Sequence, residues 1–391
     1  MKKNLLYALI FLLAAAAGSA CNRIMRLDLP PRPVVNIEEE WVMLGRNPQR
    51  QHFIKHNISP PLGVVWRKTV KSVIADHPLA FGNVILAPTV SGQMYVIDYY
   101  TGQSMGSGKL GPSIQSAPSL YHNLLYAGLT LGEQTLVAYD VRKGEKELNK
   151  SYPHITTSPT VVEDKIYFGT DRNLFFCANF YSGESIWNYR TEAAIQSSPA
   201  FQSSSVIFGD DHGWLYSLEA SSGIELWKIQ LEGGIFSHPV VDDSLVYVGA
   251  VSGIVYAVNI NNGAIVWKQP LTGAIFSSPA LYQNVLYLGN NAHEVVALHK
   301  TTGEIIWKFK TRGIVNTVPL PTPDYLYVTS WDKSLYVLDR YSGKLIFQFE
   351  LRSPSKSSPI IYRDYLLIHT ANQELIALSN EKFVEEWRAR R

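Results

Sequence analysis

Short apolar runs separated by turn residues dominate the chain after about residue 60, and one stretch shows their rhythm. Its apolar runs, with Asp, Ser, Asn and Gly between them, are Pro239–Val241, Leu245–Gly249, Ile254–Val258 and Ala264–Gln269. Runs of this length with such borders predict β-strands joined by tight turns. The stretch has no 3.6-residue period over twelve residues. We therefore predict a four-stranded antiparallel meander.

This unit recurs, because a proline returns every 40 residues, with one interval of 41. The eight positions are Pro78, Pro118, Pro159, Pro199, Pro239, Pro279, Pro319 and Pro359. A small polar residue stands two positions earlier in seven copies, and Asp76 does so in the first. A fixed period of this length is the signature of repeat architectures. The region is therefore one module copied eight times.

A second slot, twelve residues before the proline, usually holds an aromatic side chain: Trp66, Trp187, Trp227, Trp267, Trp307 and Phe347. Leu148 fills it in one copy, Gly106 leaves it empty in another, and Trp387 follows Phe347 by 40 residues. A large ring at a repeating position suits the joint between neighbouring modules. We therefore predict that these residues, including Trp387, dock one module onto the next.

A single four-stranded meander cannot bury both faces of its sheet. Radial packing around a common axis buries sheet against sheet and protects most strand edges. The fold class predicted for residues 41–391 is therefore an all-β, eight-bladed β-propeller of four-stranded blades. One outer strand is surplus, and we expect the segment Leu62–Val70 rather than the Trp387 segment to close the ring. The segment Arg46–Pro61 fits no repeat and is expected to cap one face.

The N-terminus has the features of an export signal. Lys2 and Lys3 precede the apolar run Leu5–Ala17, and small residues lead to Cys21. This order is typical of a secretory signal peptide, here residues 1–20. A cysteine directly after the small residues resembles a bacterial lipoprotein site, which implies acylation of Cys21. An ordinary signal peptide with an incidental cysteine is the alternative. Residues 21–40, with three prolines, are interpreted as a tether.

Composition narrows the possible functions. The chain has 35 basic and 33 acidic residues, a net charge of +2, so it lacks the basic excess of a nucleic-acid binder. With 46% apolar residues and 17% charged residues it is not a disordered chain. Its two cysteines, Cys21 and Cys177, exclude a disulfide scaffold and a four-cysteine zinc site.

The repeats resemble a known family. The segments 252–259 (SGIVYAVN), 262–268 (NGAIVWK) and 277–280 (SSPA) are similar to the PQQ-type β-propeller repeat. That family includes quinoprotein dehydrogenases, which use pyrroloquinoline quinone and calcium, and the non-catalytic lipoprotein BamB of the β-barrel assembly machinery. The lipoprotein-like leader and eight bare repeats resemble the latter.

The residues that a quinoprotein enzyme needs are not evident. The family's alcohol dehydrogenases stack a vicinal cysteine pair on the quinone, and this chain has none. Cys177 occupies a slot that other copies fill with Ser or Ala, so we expect a buried thiol. Asp98, Asp140 and Asp339 each precede a turn, and turn formation explains them. His77 and His238 precede repeat prolines and could meet at the axis, but two histidines do not complete a metal site. We therefore predict no catalytic, cofactor or metal residues.

The favoured hypothesis is a non-catalytic, lipid-anchored, protein-binding scaffold of the cell envelope. The resemblance implies partners among envelope proteins, including a β-barrel insertase, and a location on the periplasmic face of the outer membrane. Two alternatives remain open. One is a quinone- or metal-dependent periplasmic oxidoreductase, and the other is a ligand- or polysaccharide-binding propeller, which exposed aromatic residues on one loop face would favour.

Overall fold

The computed structural model describes residues 40–390, and its strands form eight four-stranded antiparallel sheets arranged as a β-propeller. The predicted fold class is therefore confirmed. The predicted signal peptide, the acylation of Cys21 and nearly all of the tether lie outside the described residues. Within residues 40–390, no helix has the length and apolar character that a membrane span requires.

The first four complete blades are formed by consecutive strands. Blade 1 contains β2 (Leu79–Phe81), β3 (Val84–Pro88), β4 (Gln93–Asp98) and β5 (Ser104–Lys109). Blade 2 contains β6 (Ser119–Tyr121), β7 (Leu124–Gly128), β8 (Leu136–Asp140) and β9 (Glu145–Lys150). Blade 3 contains β10 (Thr160–Val162), β11 (Lys165–Gly169), β12 (Leu174–Asn179) and β13 (Ser185–Arg190). Blade 4 contains β14 (Ala200–Gln202), β15 (Ser205–Gly209), β16 (Trp214–Glu219) and β17 (Glu225–Gln230).

Blades 5 to 7 repeat this order. Blade 5 contains β18 (Val240–Val241), β19 (Leu245–Gly249), β20 (Ile254–Asn259) and β21 (Ile265–Pro270). Blade 6 contains β22 (Ala280–Tyr282), β23 (Val285–Gly289), β24 (Glu294–His299) and β25 (Ile305–Lys310). Blade 7 contains β26 (Leu320–Pro321), β27 (Tyr325–Thr329), β28 (Ser334–Asp339) and β29 (Leu345–Glu350).

Blade 8 joins the two ends of the propeller. It contains β30 (Ile360–Tyr362), β31 (Tyr365–His369) and β32 (Glu374–Asn380), and its outer strand is β1 (Leu62–Thr69). β1 pairs antiparallel with β32, with Leu62 opposite Asn380 and Thr69 opposite Glu374. The prediction that the segment beginning at Leu62 closes the ring is therefore confirmed.

Burial follows the position of each strand in its blade. The inner three strands are almost wholly buried, as in β19 and β20, because neighbouring blades cover both of their faces. Outer strands such as β21 and β25 are largely exposed. The core therefore consists of apolar clusters that mostly lie between adjacent blades, such as the one formed by Ile207, Trp227, Val248 and Tyr256.

A short amphipathic helix, α1 (Glu381–Ala389), follows β32 and packs on the outside of blade 8. The side chain of Asn380 caps it by accepting from the Lys382 amide at 3.1 Å. Val384 is buried against Gly63 of β1. Trp387 lies on this helix and packs against the blade 8 cluster. The structure therefore places Trp387 differently from the strand slot that its spacing indicated.

Each outer strand contains a β-bulge next to the docking slot, for example between the partners of Ser217 and Leu218 in blade 4. Bulges twist an edge strand and hinder pairing with another chain. The rim is therefore a poor site for strand addition near the bulge.

Candidate functional site

The propeller has two faces, which different turns form. We call the face with the turns between the first and second and between the third and fourth strands of each blade the hairpin face. We call the opposite face, which carries the remaining turns and the connections between blades, the open face. The two faces differ in what covers the axis.

The segment 41–54 runs along the innermost strands near the hairpin face and bonds to one blade after another. Its backbone hydrogen bonds join Trp41 to Ala80, Val42 to Leu120, Pro48 to Phe201, Gln49 to Val241, Gln51 to Leu281 and Ile54 to Pro321. The side chains of Arg50 and Trp41 reach the two remaining blades, at Thr160 and at the Ile361 carbonyl. This segment contacts all eight blades and seals the axis. We call it the axial segment.

Arg50 anchors the axial segment at the centre of the ring. Its Nε donates to the Pro199 carbonyl at 2.9 Å, its Nη2 to Thr160 Oγ1 at 2.5 Å and its Nη1 to the Leu44 carbonyl. Burial lowers the pKa of Arg50 to about 9, while the charge of Asp76 opposes this shift. A buried cation held by carbonyl groups fixes the segment at one depth in the axis.

His77 and His238, which were expected at the axis, lie there. His52, which the sequence did not assign to the axis, lies beside them. His52 of the axial segment lies 6.2 Å, ring to ring, from His77, and it lines the same small cavity as His238. His238 Nδ1 accepts from the Ser198 amide at 2.9 Å. Burial lowers the pKa of all three rings, to about 4 for His238. Among residues 40–390, no three His, Cys, Asp or Glu side chains are placed to hold a metal.

The cavity left at this end of the axis is about 10 Å³, lined by Arg50, His52 and His238 among others. That volume holds about one water molecule. A quinone cofactor of several fused rings does not fit there beside the axial segment. The residues at the sealed end of the axis therefore do not suit the cofactor that the quinoprotein alternative requires.

The open face carries a ring of side chains three positions before each repeat proline. In blades 5 and 6 these are Phe236 and Phe276, whose rings lie 5.6 Å apart. Phe276 is 38% exposed. Nearby in the repeat order, Trp331 of blade 7 is 37% exposed, and the Lys356 ammonium lies 4.8 Å from the centre of its ring. We call Phe236, Phe276 and Trp331 the aromatic sector.

Blades 3 and 4 present acidic residues on the same face. Asp171 Oδ2 lies 3.1 Å from His154 Nδ1, and Asp211 Oδ2 accepts from Gln196 Nε2 at 3.0 Å. Burial raises the pKa of Asp211. One carboxylate oxygen on each aspartate is buried without a hydrogen-bond partner among the described residues. The open face therefore combines an acidic sector with an aromatic sector, an arrangement suited to a large, chemically mixed partner surface.

Exposed aromatic residues are not confined to the open face. Tyr100, Tyr181 and Tyr341 project from the hairpin face and are about half exposed or more. The concentration on one loop face that would favour a polysaccharide-binding propeller is therefore absent among residues 40–390.

The residues proposed to dock the blades lie at the joints, with the exception of Trp387 on α1. The indole Nε1 groups of Trp66, Trp187, Trp227, Trp267 and Trp307 donate to backbone carbonyls of the next blade: Tyr99, Ala220, Ile260, Lys300 and Arg340. Phe347 packs against the blade 8 cluster. Each indole also lies over a turn glycine of the next blade, as Trp227 does over Gly263. That glycine has φ +73°, and a Cβ there would lie 2.9 Å from the indole, so the site needs glycine twice over.

Hydrogen bonds between the residues that precede the innermost strands of neighbouring blades were not predicted from the sequence. The sequence showed small polar residues at this repeat position but gave them no hydrogen-bonding role. In the structure Ser197 Oγ donates to the Ser237 carbonyl, Ser277 Oγ donates to the Thr317 carbonyl, and Ser198 Oγ accepts from the Ser158 amide. The partners are 40 residues apart, so the repeat spacing carried this signal.

The remaining candidate residues behave as expected. Cys177 is a free, fully buried thiol whose pKa is raised to about 12 by burial. Asp98 Oδ1 accepts from the Thr101 amide, Asp140 Oδ1 from the Lys143 amide and Asp339 Oδ1 from the Ser342 amide. These carboxylates close turns, and the thiol packs in the core.

Comparison with known proteins agrees with this geometry. A family model described as outer membrane protein assembly factor BamB matches residues 66–189, 181–313 and 292–391. No curated protein matches the sequence.

Solved structures share the fold at low sequence identity. BamB from Moraxella catarrhalis is 18% identical with a TM-score of 0.69, covering 81% of this chain and 99% of its own. Quinohemoprotein alcohol dehydrogenase ADHIIG from Pseudomonas putida HK5 is 11% identical with a TM-score of 0.76, covering 92% and 83%. Quinohemoprotein alcohol dehydrogenase from Comamonas testosteroni is 10% identical with a TM-score of 0.74, covering 87% and 80%.

Proposed function

Because the chain belongs to the PQQ-type propeller family of outer membrane protein assembly factor BamB, we propose that it is a non-catalytic, protein-binding scaffold of the bacterial cell envelope. We propose a role in outer-membrane β-barrel assembly like the one that BamB's name describes. Fold alone does not fix function, so the proposal also depends on the site.

One observation carries the proposal: the chain itself seals the hairpin end of the axis, which leaves the open face, with its aromatic and acidic sectors on rigid blades, as the face for a partner. Exposed aromatic side chains beside charged groups are typical of protein-binding surfaces. Loops on a rigid frame hold such side chains in place and reduce the entropy lost on binding. The partner that we propose for this face is an envelope protein, in particular a β-barrel insertase.

The attachment point of the tether supports this orientation. Glu40, the first described residue, accepts from the Gly82 amide in a hairpin-face turn at 3.3 Å. An acyl anchor on Cys21 would therefore reach the protein from the hairpin side through about 20 residues, which span at most about 70 Å. We propose that this anchor holds the protein at the periplasmic face of the outer membrane with its open face free for a partner.

The proposal is tested by photo-crosslinking in intact envelopes of the source organism. A photoreactive residue replaces Phe276 on the open face or, as a matched control, Tyr100 on the hairpin face. We expect a crosslink to the β-barrel insertase from position 276 and not from position 100. Equal yields at both positions, or no insertase at either, contradict the proposed binding face.

The enzyme alternative has a direct assay. The likeness to quinohemoprotein dehydrogenases reflects the shared fold, and the sealed end of the axis has room for about one water. The purified protein is supplied with pyrroloquinoline quinone and calcium, and dye reduction is followed with alcohols or sugars. We expect no turnover above a denatured control, whereas sustained turnover would overturn the scaffold proposal.

A further inference from the structure

The joint between blades 6 and 7 contains a buried guanidinium group with unusual partners. Arg340 is 2% exposed. Its Nε donates to the Pro323 carbonyl at 3.0 Å, and Nη1 and Nη2 make long bonds of 3.3 Å to Tyr287 Oη and Gln283 Oε1. The guanidinium carbon lies 4.9 Å from the ring centre of Tyr282 and 4.2 Å from that of Tyr341. All of these partners are uncharged.

In the preceding joint, a cation at the same repeat position is neutralised by a carboxylate. Lys300, forty residues before Arg340, extends its ammonium to within 3.0 Å of Asp242 Oδ2 in a blade 5 turn. The residue forty positions after Asp242 is Tyr282. Arg340 therefore occupies the slot of Lys300, while the carboxylate that would pair with it has been replaced by a phenol. Among residues 40–390, no carboxylate oxygen lies within 4.0 Å of its guanidinium.

A cavity of about 200 Å³ opens beside this cation on the hairpin face. Its polar lining is Gln283, Asn284, Tyr287 and Arg340, and its apolar lining is Val285, Ile306, Trp307 and Tyr341. Ile306 and Tyr341 are 45% and 63% exposed, so the apolar wall is open to solvent. A buried cation is costly without a negative partner, and this one lies where a ligand could supply the charge.

We propose that this cavity binds a carboxylate that carries a small apolar group. The carboxylate pairs with Nη1 and Nη2 of Arg340, whose fork geometry matches two carboxylate oxygens. The apolar group lies against Ile306 and Tyr341. Arg340 is the only cation in the lining, so the cavity suits a monoanion rather than a phosphate dianion. The site is on the opposite face from the proposed partner surface and does not depend on it.

The test uses ligand-observed NMR with the purified chain and two matched small probes. Phenylacetate carries the charge and the apolar group, whereas phenylacetamide has nearly the same shape without the charge. We expect phenylacetate to bind with a dissociation constant of about 1–10 mM, the range for a ligand of about ten non-hydrogen atoms. The amide is expected to bind at least tenfold more weakly. Equal binding of acid and amide, for this pair and for the peptide pair described below, would overturn the proposal.

Variants at the two joints distinguish loss of the binding site from a general loss of stability. Arg340→Gln is expected to abolish phenylacetate binding, and the matched control Lys300→Gln is expected to retain it. Tyr282→Asp places a carboxylate where blade 5 has Asp242, so it should block the ligand by pairing with Arg340 and leave the blade intact. Should Arg340→Gln fail to fold, the Tyr282→Asp result decides. Undiminished binding by Tyr282→Asp contradicts the site.

Two sources of the carboxylate can be distinguished with the same assay. One arm uses phenylacetate as a free small acid, and the other uses N-acetyl-glycyl-phenylalanine, which presents a peptide C-terminus. Each is compared with its amide. Binding of either acid above its amide supports the site and identifies the source, and failure of both acids to exceed their amides overturns it.

Discussion

The two ends of the propeller axis are built from the same eight repeats, yet they differ sharply. At the hairpin end, the axial segment bonds to all eight blades and leaves about 10 Å³ of empty space. At the open end, repeat positions carry different residues in different blades, with phenylalanine in blades 5 and 6 and glutamine in blade 4.

The sealed end of the axis therefore contributes to the stability of the fold, whereas the open face is free to contribute to recognition. A segment that satisfies one backbone group in most blades must be specific in sequence and depth, because buried polar groups need their partners. Exposed side chains on the open face make no contacts as extensive as those of the axial segment. Their residue types can therefore differ from blade to blade. We therefore expect substitutions at the sealed end to affect folding and those on the open face, such as Phe276→Asp, to affect binding alone.

The largest expected effect is loss of the axial segment. A chain that begins at Ser59 lacks the contacts of Trp41, Arg50 and Ile54 and should lose cooperative unfolding or at least about 10 °C in Tm. Trp41→Ala alone should cost about 3–5 kcal/mol. Thermal unfolding measures the first effect and urea titration the second, with the exposed His56→Ala as control. A chain starting at Ser59 that is as stable as one starting at Glu40 would show that the seal is dispensable.

The next largest effect is expected at a joint between two blades, which contributes to the stability of both faces. Trp227 is buried, and its indole donates to the Ile260 carbonyl at 2.7 Å. Trp227→Ala should reduce the free energy of unfolding by about 3–5 kcal/mol, measured by urea titration. The exposed neighbour Leu226→Ala should change it by less than about 0.5 kcal/mol. Equal effects would mean that the indole does not hold the joint.

The C-terminal helix should matter less than the strand that closes the ring. A chain ending at Lys382 loses the buried Val384 and the half-buried Phe383 and Trp387, for a cost of about 2–3 kcal/mol. It should still unfold in one transition by circular dichroism. A chain whose residues 62–69 are replaced by a Gly/Ser linker, so that β1 is lost and the axial segment is kept, should lose more stability than the chain ending at Lys382. The reverse ranking would show that α1, and not β1, completes the propeller.

The smallest expected effect is that of acid on one buried histidine, His369. Burial lowers the pKa of His369 to about 4, and its Nε2 accepts from the Ile74 amide, so the folded state favours the neutral ring. Its unfolded pKa is about 6.5. This stabilisation is complete above pH 6.5 and declines as pH falls towards 4. We expect a loss of about 1–3 kcal/mol from His369 over that window, in addition to contributions from His52, His77 and His238. His369→Gln should flatten the dependence, and an unchanged slope would contradict this assignment.

Much of the frame could be predicted from sequence because the signals are local and repeated. The proline interval predicts eight blades, and the turns at Asp98 and Asp339 follow from residue type and position. The tryptophans indicate the joints because a large ring needs a large partner surface. Trp387 shares the spacing but lies on α1, because after Asn380 the outer position of blade 8 is already filled by β1.

The candidate sites could not be predicted in the same way. Asp171, Phe276 and Trp331 come from different repeats and share a surface only because the ring is closed. The charge imbalance at Arg340 depends on Tyr282, 58 residues away in another blade. The Lys300–Asp242 pair has the same separation, but only the structure shows that these two repeat positions face each other across a joint.

The sequence by itself determined the module, its number and the strand that joins the ends, because each of these depends on local patterning and a constant period. Only the tertiary structure decided that segment 41–54 crosses the axis, that one face is sealed, and which side chains gather on the other. These outcomes depend on distances between blades, and backbone groups with no partner in their own repeat find one only once the ring is complete.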